Sequence, residues 1–339
     1  MSGILTIRLK GMGDIVHLLP ALEALRTRFP DEPIGLLCYG AFGALLPKRL
    51  GIELFDISPR ADCIEMMRLI RRIRRRRFDR LLDFYGNPRT ALISLLSGIP
   101  FRAGFAYRIR RYAYHRVFSP PDANIHLARL FGDFLDAFGL GGPLPSPRLD
   151  YGEHEHARAS AILEASSSPL RPLLGINPHA TYSAKAWPVG HFAEIARLWN
   201  RSTGGKSLIF HGPGEEEAAR RLVQELGPDV AFGHPGLSLR ECIALIDGVD
   251  LFFTADTGPM NLAWALGKPV VALFGPTTRR AVAPRGEEHL VLYHPTLDCL
   301  QCHKEVCPDG RCMREMTPEW VFARLEEKYP HWLGKKSEG

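Results

Sequence analysis

Residues 250–277, DLFFTADTGPMNLAWALGKPVVALFGPT, leave this chain few folds to choose from. Leu251-Phe252-Phe253-Thr254 and Val270-Val271-Ala272-Leu273-Phe274 are unbroken apolar and β-branched runs of strand length, the pattern of parallel strands buried on both faces. The segment between them predicts a short helix over 258–266. Asp256 or Thr257 can cap it, Pro259 sits in its first turn where a missing N–H does no harm, and Gly267 and Pro269 stop it. The free N–H groups of Thr257, Gly258 and Met260 would point outward with the positive end of the helix dipole, so the turn suits a phosphate as well as it suits a plain cap. A second polar turn, Gly275-Pro276-Thr277-Thr278, follows the next strand. Two loops at the carboxyl end of one sheet edge lie where open α/β folds bind ligands, which favours a site over a cap alone.

The pattern Asp256-Thr257-Gly258-x-x-x-Leu262-Ala263-x-Ala265-Leu266-Gly267-Lys268-Pro269, followed by Ala272-Leu273-Phe274-Gly275-Pro276-Thr277, resembles the donor-binding segment of glycosyltransferase family 9, the bacterial lipopolysaccharide heptosyltransferases. One position departs from it. Asn261 stands where the family usually carries His, so no catalytic duty is given to that side chain.

The N-terminal half repeats the strand and polar-turn rhythm. Ile4 to Leu9 reads as a strand, and Lys10-Gly11-Met12-Gly13-Asp14 as a glycine turn into a helix with Ile15, Leu18, Leu22, Leu25 and Phe29 at helical spacing. Pro20 should kink that helix or mark its effective start. The turn is neither a dinucleotide fingerprint, since Val16 stands where a third glycine is needed, nor a P-loop; a nicotinamide oxidoreductase is disfavoured. Asp14 is by itself a helix-cap carboxylate. The stretch Arg8-Leu9-x-x-Met12-Gly13-Asp14-Ile15-Val16-His17-x-Leu19-Pro20-Ala21-Leu22 is also similar to the family's opening motif, and that resemblance makes Asp14 the general base. Gly13 and His17 belong to the same motif. Further strands are expected at 34–38, 54–57, 80–84 and near 116–118, and the turn after 84 puts Asn87 and Arg89 on the same side as Asp14.

The net charge of +6 is unevenly spread. Between Arg60 and Arg116 lie fifteen Arg, no Lys and four acids. The run Arg68 to Arg80 is a basic helix, either simply solvated or a footing on an anionic lipid surface, where each Arg contributes about 1 kcal/mol. Arg108, Arg110 and Arg111 alternate with Tyr107, Tyr112 and Tyr114, which suits an acidic saccharide as well as RNA. A nucleic-acid-binding protein would explain residues 60–116 but not two phosphate turns. No apolar run approaches the ~20 residues that span a bilayer, and MSGILTIRLK is not a signal peptide, so a cytoplasmic chain is expected.

Residues 139–150, rich in Gly and Pro, end the first half; 151–169 is the expected linker, closing at Ser166-Ser167-Ser168-Pro169. The second half, 170–317, restarts the β/α alternation, and two such halves imply a cleft between them. Segments resembling the family's Thr181-x-x-x-Lys185-x-Trp187-Pro188 and Gly212-Pro213-Gly214-Glu215 imply a Lys near the donor phosphates and an acid on the nucleoside ribose. Cys38, Cys63 and Cys242 read as small core residues. Cys299, Cys302, Cys307 and Cys312, with His303 among them, are close enough in sequence for tetrahedral Zn²⁺, although the spacing is not that of paired C-x-x-C knuckles; the first reading is a metal-free packed loop, with structural zinc as the alternative. The helix expected at 318–329 should pack back on the first domain, ahead of a basic tail at 334–339.

The resemblance spans nearly the whole chain. It implies the GT-B architecture, two Rossmann-like doubly wound parallel-sheet domains facing one cleft, and an inverting transfer of heptose from ADP-heptose to the inner core of lipopolysaccharide; a GT-B glycosyltransferase or epimerase of another nucleotide-sugar is the alternative, since no residue pattern reads the sugar itself. The resemblance implies catalytic Asp14 and Lys185 and donor contacts from Thr181, Glu215, Asp256, Thr257, Gly258, Pro276 and Thr277; Gly13 and His17 of the opening motif, with Asn87, Arg89, Arg108, Arg110 and Arg111 read from turn position and charge, make the expected acceptor or membrane side. No cofactor is required by that reading, and the chain has no D-x-D for a metal-bridged diphosphate. The expected partners are an ADP-sugar, a lipopolysaccharide inner-core acceptor and the anionic inner membrane, met peripherally from its cytoplasmic face, with no nucleic acid.

Overall fold

The computed structural model describes residues 3–122, 124–166 and 172–333. The chain divides into two compact units, Met1–Asp150 and Tyr151–Gly339. The first holds six strands: β1 (Ile4–Ile7), β2 (Ile34–Cys38), β3 (Glu53–Asp56), β4 (Arg80–Asp83), β5 (Phe101–Phe105) and β6 (Arg116–Phe118). All pair in parallel, in the order β3-β2-β1-β4-β5-β6. Every residue of β1 and β2 is buried, as strands covered on both faces require. The helices of this unit are α1 (Met12–Arg28), α2 (Cys63–Arg76), α3 (Pro88–Leu96) and α4 (Leu127–Asp136). Helix α1 starts at Met12 and contains Pro20 in its interior, so the proline does not mark its start.

Two departures from the sequence reading have physical causes. Phe101–Phe105 was not expected as a strand because Arg102 and Gly104 interrupt its apolar run. Arg102 donates to the carbonyls of Ile99 and Ala113, and a Cβ on Gly104 would lie 2.5 Å from the Tyr114 ring, so both unusual residues serve packing at this strand. Cys63, expected in the core, is exposed at the first position of α2.

The second unit repeats the plan with β7 (Leu174–Asn177), β8 (Ser207–Ile209), β9 (Ala231–Phe232), β10 (Leu251–Ala255), β11 (Val270–Phe274) and β12 (Leu290–Tyr293), all parallel in the order β12-β11-β10-β7-β8-β9. Its helices are α5 (Glu153–Ala165), α6 (Val189–Thr203), α7 (Glu216–Leu226), α8 (Leu239–Asp247), α9 (Gly258–Ala265), α10 (Arg279–Val282), α11 (Arg311–Arg314), α12 (Pro318–Lys328) and α13 (Pro330–Leu333). The C-terminal helix contributes to the core of the second unit. Val321, Phe322 and Leu325 of α12 bury in the same core as Trp187, Phe192 and Trp199, and Trp187 Nε1 donates to the Met316 carbonyl at 2.9 Å. Linker residues Ser167, Ser168 and Pro169 and the tail 334–339 lie outside the described residues.

In each unit the strand order reverses between the first and fourth strands, β1 beside β4 and β7 beside β10. Neighbouring loops leave in opposite directions there, opening a crevice at the strands' carboxyl ends.

Candidate functional site

At the switch point of the first unit, β1 leads through Gly11 into α1. Gly11 has φ 96°, and a Cβ there would come 2.5 Å from Asp14 Oδ2, so only glycine fits. Gly11, not Asp14, is the helix N-cap; Asp14 is the third helical residue, with Gly13 just before it. Arg8 Nη2 donates to Asp14 Oδ2 at 2.6 Å, and Arg8 Nη1 donates to the Phe84 carbonyl at 2.6 Å. The guanidinium lies 5.0 Å from the Tyr85 ring centre and 5.4 Å from that of Phe131. Arg8 thus spans the switch from β1 to the end of β4 and fixes the Asp14 carboxylate through one of its two oxygens. In the sequence Arg8 carries no signal of this contact beyond a charge at the exit of an otherwise apolar strand.

The loop after β4 is braced from beneath by Asp83, which is fully buried. It accepts from the N–H groups of Tyr85 and Gly86, each at 2.9 Å, and from the Tyr114 hydroxyl at 2.7 Å. Burial pushes the Asp83 carboxyl up while these hydrogen bonds pull it back, and burial together with Asp83 pushes the Tyr114 hydroxyl up. Asn87 accepts from the Thr90 N–H at 2.8 Å and caps α3. Arg89 donates to the carbonyls of Ser58 and Pro59. His17 is buried, its ring 5.0 Å from that of His126, so it does not share the open turn with Asp14. Arg110 and Arg111 lie over Tyr107 and Tyr112 in the 3₁₀ turn Arg108–Ala113 after β5, and the Arg108 side chain is outside the described residues.

In the second unit, four strands adjacent in the sheet, β11, β10, β7 and β8, each end in a candidate turn. Lys185 Nζ, from the turn after β7, meets Asp256 Oδ2, from the turn after β10, at 2.6 Å. Asn177 at the end of β7 donates to Thr254 Oγ1 at 3.2 Å and to Thr257 Oγ1 at 3.4 Å, and those two hydroxyls are 3.0 Å apart. Thr257 is the N-cap of α9, but its side chain makes no capping bond because it is turned into this network. The first-turn N–H groups of Gly258 and Met260 have no intrahelical acceptor, and the Lys185 ammonium, paired with Asp256, stands at the same turn, so a cation and free donors lie together. Asn261 is buried and its amide nitrogen donates to the Thr257 carbonyl at 3.0 Å.

Thr277 Oγ1 and Asn261 Oδ1 are buried without a hydrogen-bond partner among the described residues. Buried polar atoms are normally satisfied, so both are candidates for ligand or water contact. Thr181 is exposed in the loop leading to Lys185, and Pro276 is buried in the turn after β11. Glu215 N-caps α7 and accepts from the Gly212 N–H at 2.7 Å, which tightens the turn after β8. Next to it a cavity of about 540 Å³ is lined by residues that include His211, Gly214, His234, Pro235 and Gly236. The His211 and His234 rings stack at 4.1 Å. Neither histidine was singled out in the sequence, where each is a lone His following a strand.

The cysteine loop brackets these turns. Gln301 N donates to the Gly275 carbonyl at 3.0 Å, His303 N to that of Pro276 at 2.8 Å, and Ala184 N to that of Glu305 at 3.1 Å. One segment therefore holds both the turn after β11 and the turn that carries Lys185. Cys312 is buried against Gly275, where a Cβ would lie 2.7 Å from its Sγ. All four thiols are free, and among the described residues no group of three or more His, Cys, Asp or Glu is placed to hold a metal ion. Cys299, Cys302, Cys307 and Cys312 line one small cavity together with Ala184 and Pro276.

These features define a class: a two-domain α/β protein of GT-B composition, each Rossmann-like sheet carrying polar turns at its switch point, the second with a lysine beside a helix N-terminus. The family follows from comparison. The model of glycosyltransferase family 9 (heptosyltransferase) matches residues 66–312, and the chain belongs to that family. It is 27% identical over 313 residues to lipopolysaccharide heptosyltransferase 2 of Salmonella typhimurium, covering 85% of this chain and 87% of the relative. It is 34% identical over 163 residues to lipooligosaccharide heptosyltransferase 2 of Campylobacter jejuni, a match to 46% of this chain; the chain spans about half the length of such Campylobacter relatives. The fold matches that of the Escherichia coli ADP-heptose lipopolysaccharide heptosyltransferase II with a TM-score of 0.78 at 24% identity, over 97% of this chain and 99% of that one. The Asp14 turn lies ahead of the residues matched by the family model.

Proposed function

We propose that the chain is an inverting glycosyltransferase that moves heptose from ADP-heptose to the inner core of lipopolysaccharide, onto a lipid A–Kdo or heptose acceptor. The observation that carries this reading is the meeting of Lys185, Asp256 and the N-terminus of α9 at the switch point of the second sheet. In this mechanism Asp14 takes the proton of the acceptor hydroxyl as its oxygen bonds to the anomeric carbon. The bond from that carbon to the diphosphate oxygen breaks in the same displacement. Negative charge gathers on the departing ADP, where Lys185 and the Gly258 and Met260 N–H groups stabilise it as it develops. Asp256 orients Lys185, Glu215 holds the ribose, and Thr181, Pro276 and Thr277 complete the donor side. The relative in Salmonella bears the name of a lipopolysaccharide heptosyltransferase, and the E. coli structure that of an ADP-heptose enzyme, which supports the choice of donor and acceptor. Among the described residues no helix is long and apolar enough to cross a membrane; the lipid-linked acceptor is met from the cytoplasmic face, by peripheral contact.

The test is transfer from ADP-heptose to a deeply truncated lipopolysaccharide, comparing the wild type with Asp14→Asn at matched folding. The variant is expected to lose about 10²–10⁴-fold in kcat with ADP affinity unchanged. Wild-type turnover in the variant would remove Asp14 from the base role. A wild type that binds ADP-heptose but transfers nothing would overturn the acceptor.

A further inference from the structure

Among the described residues ten large apolar side chains are exposed, and eight of them fall between Ile64 and Val117, inside the arginine-rich segment. Their arrangement is ordered. Helix α2 buries Leu69, Ile70 and Ile73; the opposite face carries Ile64, Met67, Arg68, Arg71 and Arg75 at helical spacing. Its C-terminal half is tied to α3 by Arg74, which donates to the Leu96 carbonyl at 2.9 Å. Helix α3 exposes Pro88, Leu92 and Leu95, a stripe with no charge in it. On the far side of α3, Ala91 packs with Ala113 and Tyr114, which sets the 3₁₀ turn 108–113 alongside, with Ile109 and Tyr112 exposed at 81% and 76%.

The charge on this surface is one-sided. All four acids of the segment are engaged in the fold: Asp62 caps α2, Glu65 accepts from the Ser58 N–H, Asp79 from the Gly3 N–H, and Asp83 is buried. Glu53 and Asp56 pair with Arg72 and Arg76 at the edge of α2. Among the described residues no carboxylate pairs with Arg68, Arg71 or Arg75. Thus the basic helix does not act as a whole; its flank is neutralised and its outer face is not.

We propose that the outer face of α2, α3 and the turn 108–113 is the surface that seats this protein on an anionic bilayer, with Leu92, Leu95, Ile109 and Tyr112 entering the interface and Arg68, Arg71 and Arg75 holding lipid phosphates. Apolar side chains flanked by unpaired arginines match a boundary that is hydrocarbon below and negatively charged above. A nucleic acid would use the arginines but has no partner for the uncharged stripe of α3. The proposal deepens the membrane contact suggested above and rests on that reading only for its purpose.

The test is flotation of the full chain with vesicles of phosphatidylcholine alone or with added phosphatidylglycerol, in the absence of donor and acceptor. The wild type is expected to float with the anionic vesicles. Arg71→Gln/Arg75→Gln should weaken this by about thirtyfold and flatten its salt dependence. Leu92→Ser/Leu95→Ser should weaken it by about tenfold and leave the salt dependence in place. Both variants should transfer normally to a deacylated, water-soluble acceptor. A wild type that does not float overturns the proposal, as does a leucine variant that floats like wild type, or retention of a generic oligonucleotide with the leucine pair immaterial. Flotation needs no turnover, so a failure of transfer alone bears on the enzymatic reading and not on this surface.

Discussion

At the scale of single residues, the first unit depends on a glycine that does no chemistry. Gly11 combines a φ of 96° with a Cβ direction that runs into the Asp14 carboxylate. Gly11→Ala should therefore lower stability by about 1–3 kcal/mol and also displace Asp14 from Arg8. The expected result is a fall in kcat approaching that of Asp14→Asn with ADP affinity intact, read by turnover and calorimetry together; unchanged kcat would show that the Asp14 position is not what the turn protects. Lys185 and Asp256 make the complementary case in the second unit. Their sequence contexts mark a loop lysine and a turn acid, each ordinary alone, and it is the 2.6 Å contact that gives them a common purpose.

At the scale of elements, acid sensitivity should lie in the second unit. Burial lowers the imidazole pKa of His234, beside β9, and of His289, before β12, below the ordinary 6.5. The unfolded chain then takes up protons first as the pH falls. Their contribution to stability is complete above pH 6.5 and is lost as the pH drops through 6.5 toward the folded-state values. The melting temperature should fall between pH 7.5 and 5.5, and His234→Gln/His289→Gln should flatten that dependence; an unchanged slope would assign the effect to other groups. The strands themselves differed in legibility. β10 and β11 are uninterrupted apolar runs and were evident, whereas β5 hides behind Arg102 and Gly104, and β12, LVLY, is too short to stand out from its surroundings. The polar turns were legible because caps and glycines act within a few residues of themselves.

For the whole molecule, ligand linkage separates the two units experimentally. All five tryptophans, Trp187, Trp199, Trp264, Trp320 and Trp332, belong to the second unit, so tryptophan fluorescence reports its unfolding alone. ADP at one hundred times its dissociation constant should stabilise that transition by about 2.7 kcal/mol. A midpoint indifferent to saturating ADP would refute the donor assignment.

The sequence by itself determined the alternation of strands and helices, the two halves, the polar turns that close their strands, and the concentration of arginine in the first half. These are local properties, written in apolar periodicity, caps and charge. Only the tertiary structure decided which turns meet. Arg8 reaches the Phe84 carbonyl across 76 positions, Lys185 reaches Asp256 across 71, and the cysteine loop clamps two turns far from it in sequence. It also decided which arginines of α2 are neutralised and which remain open, and that the last helix closes the second core. The physical reason is strand order: once β1 lies beside β4 in one sheet and β7 beside β10 in the other, residues of the same unit with no local relation come to the switch point of their own sheet, and no pattern within either segment encodes that adjacency.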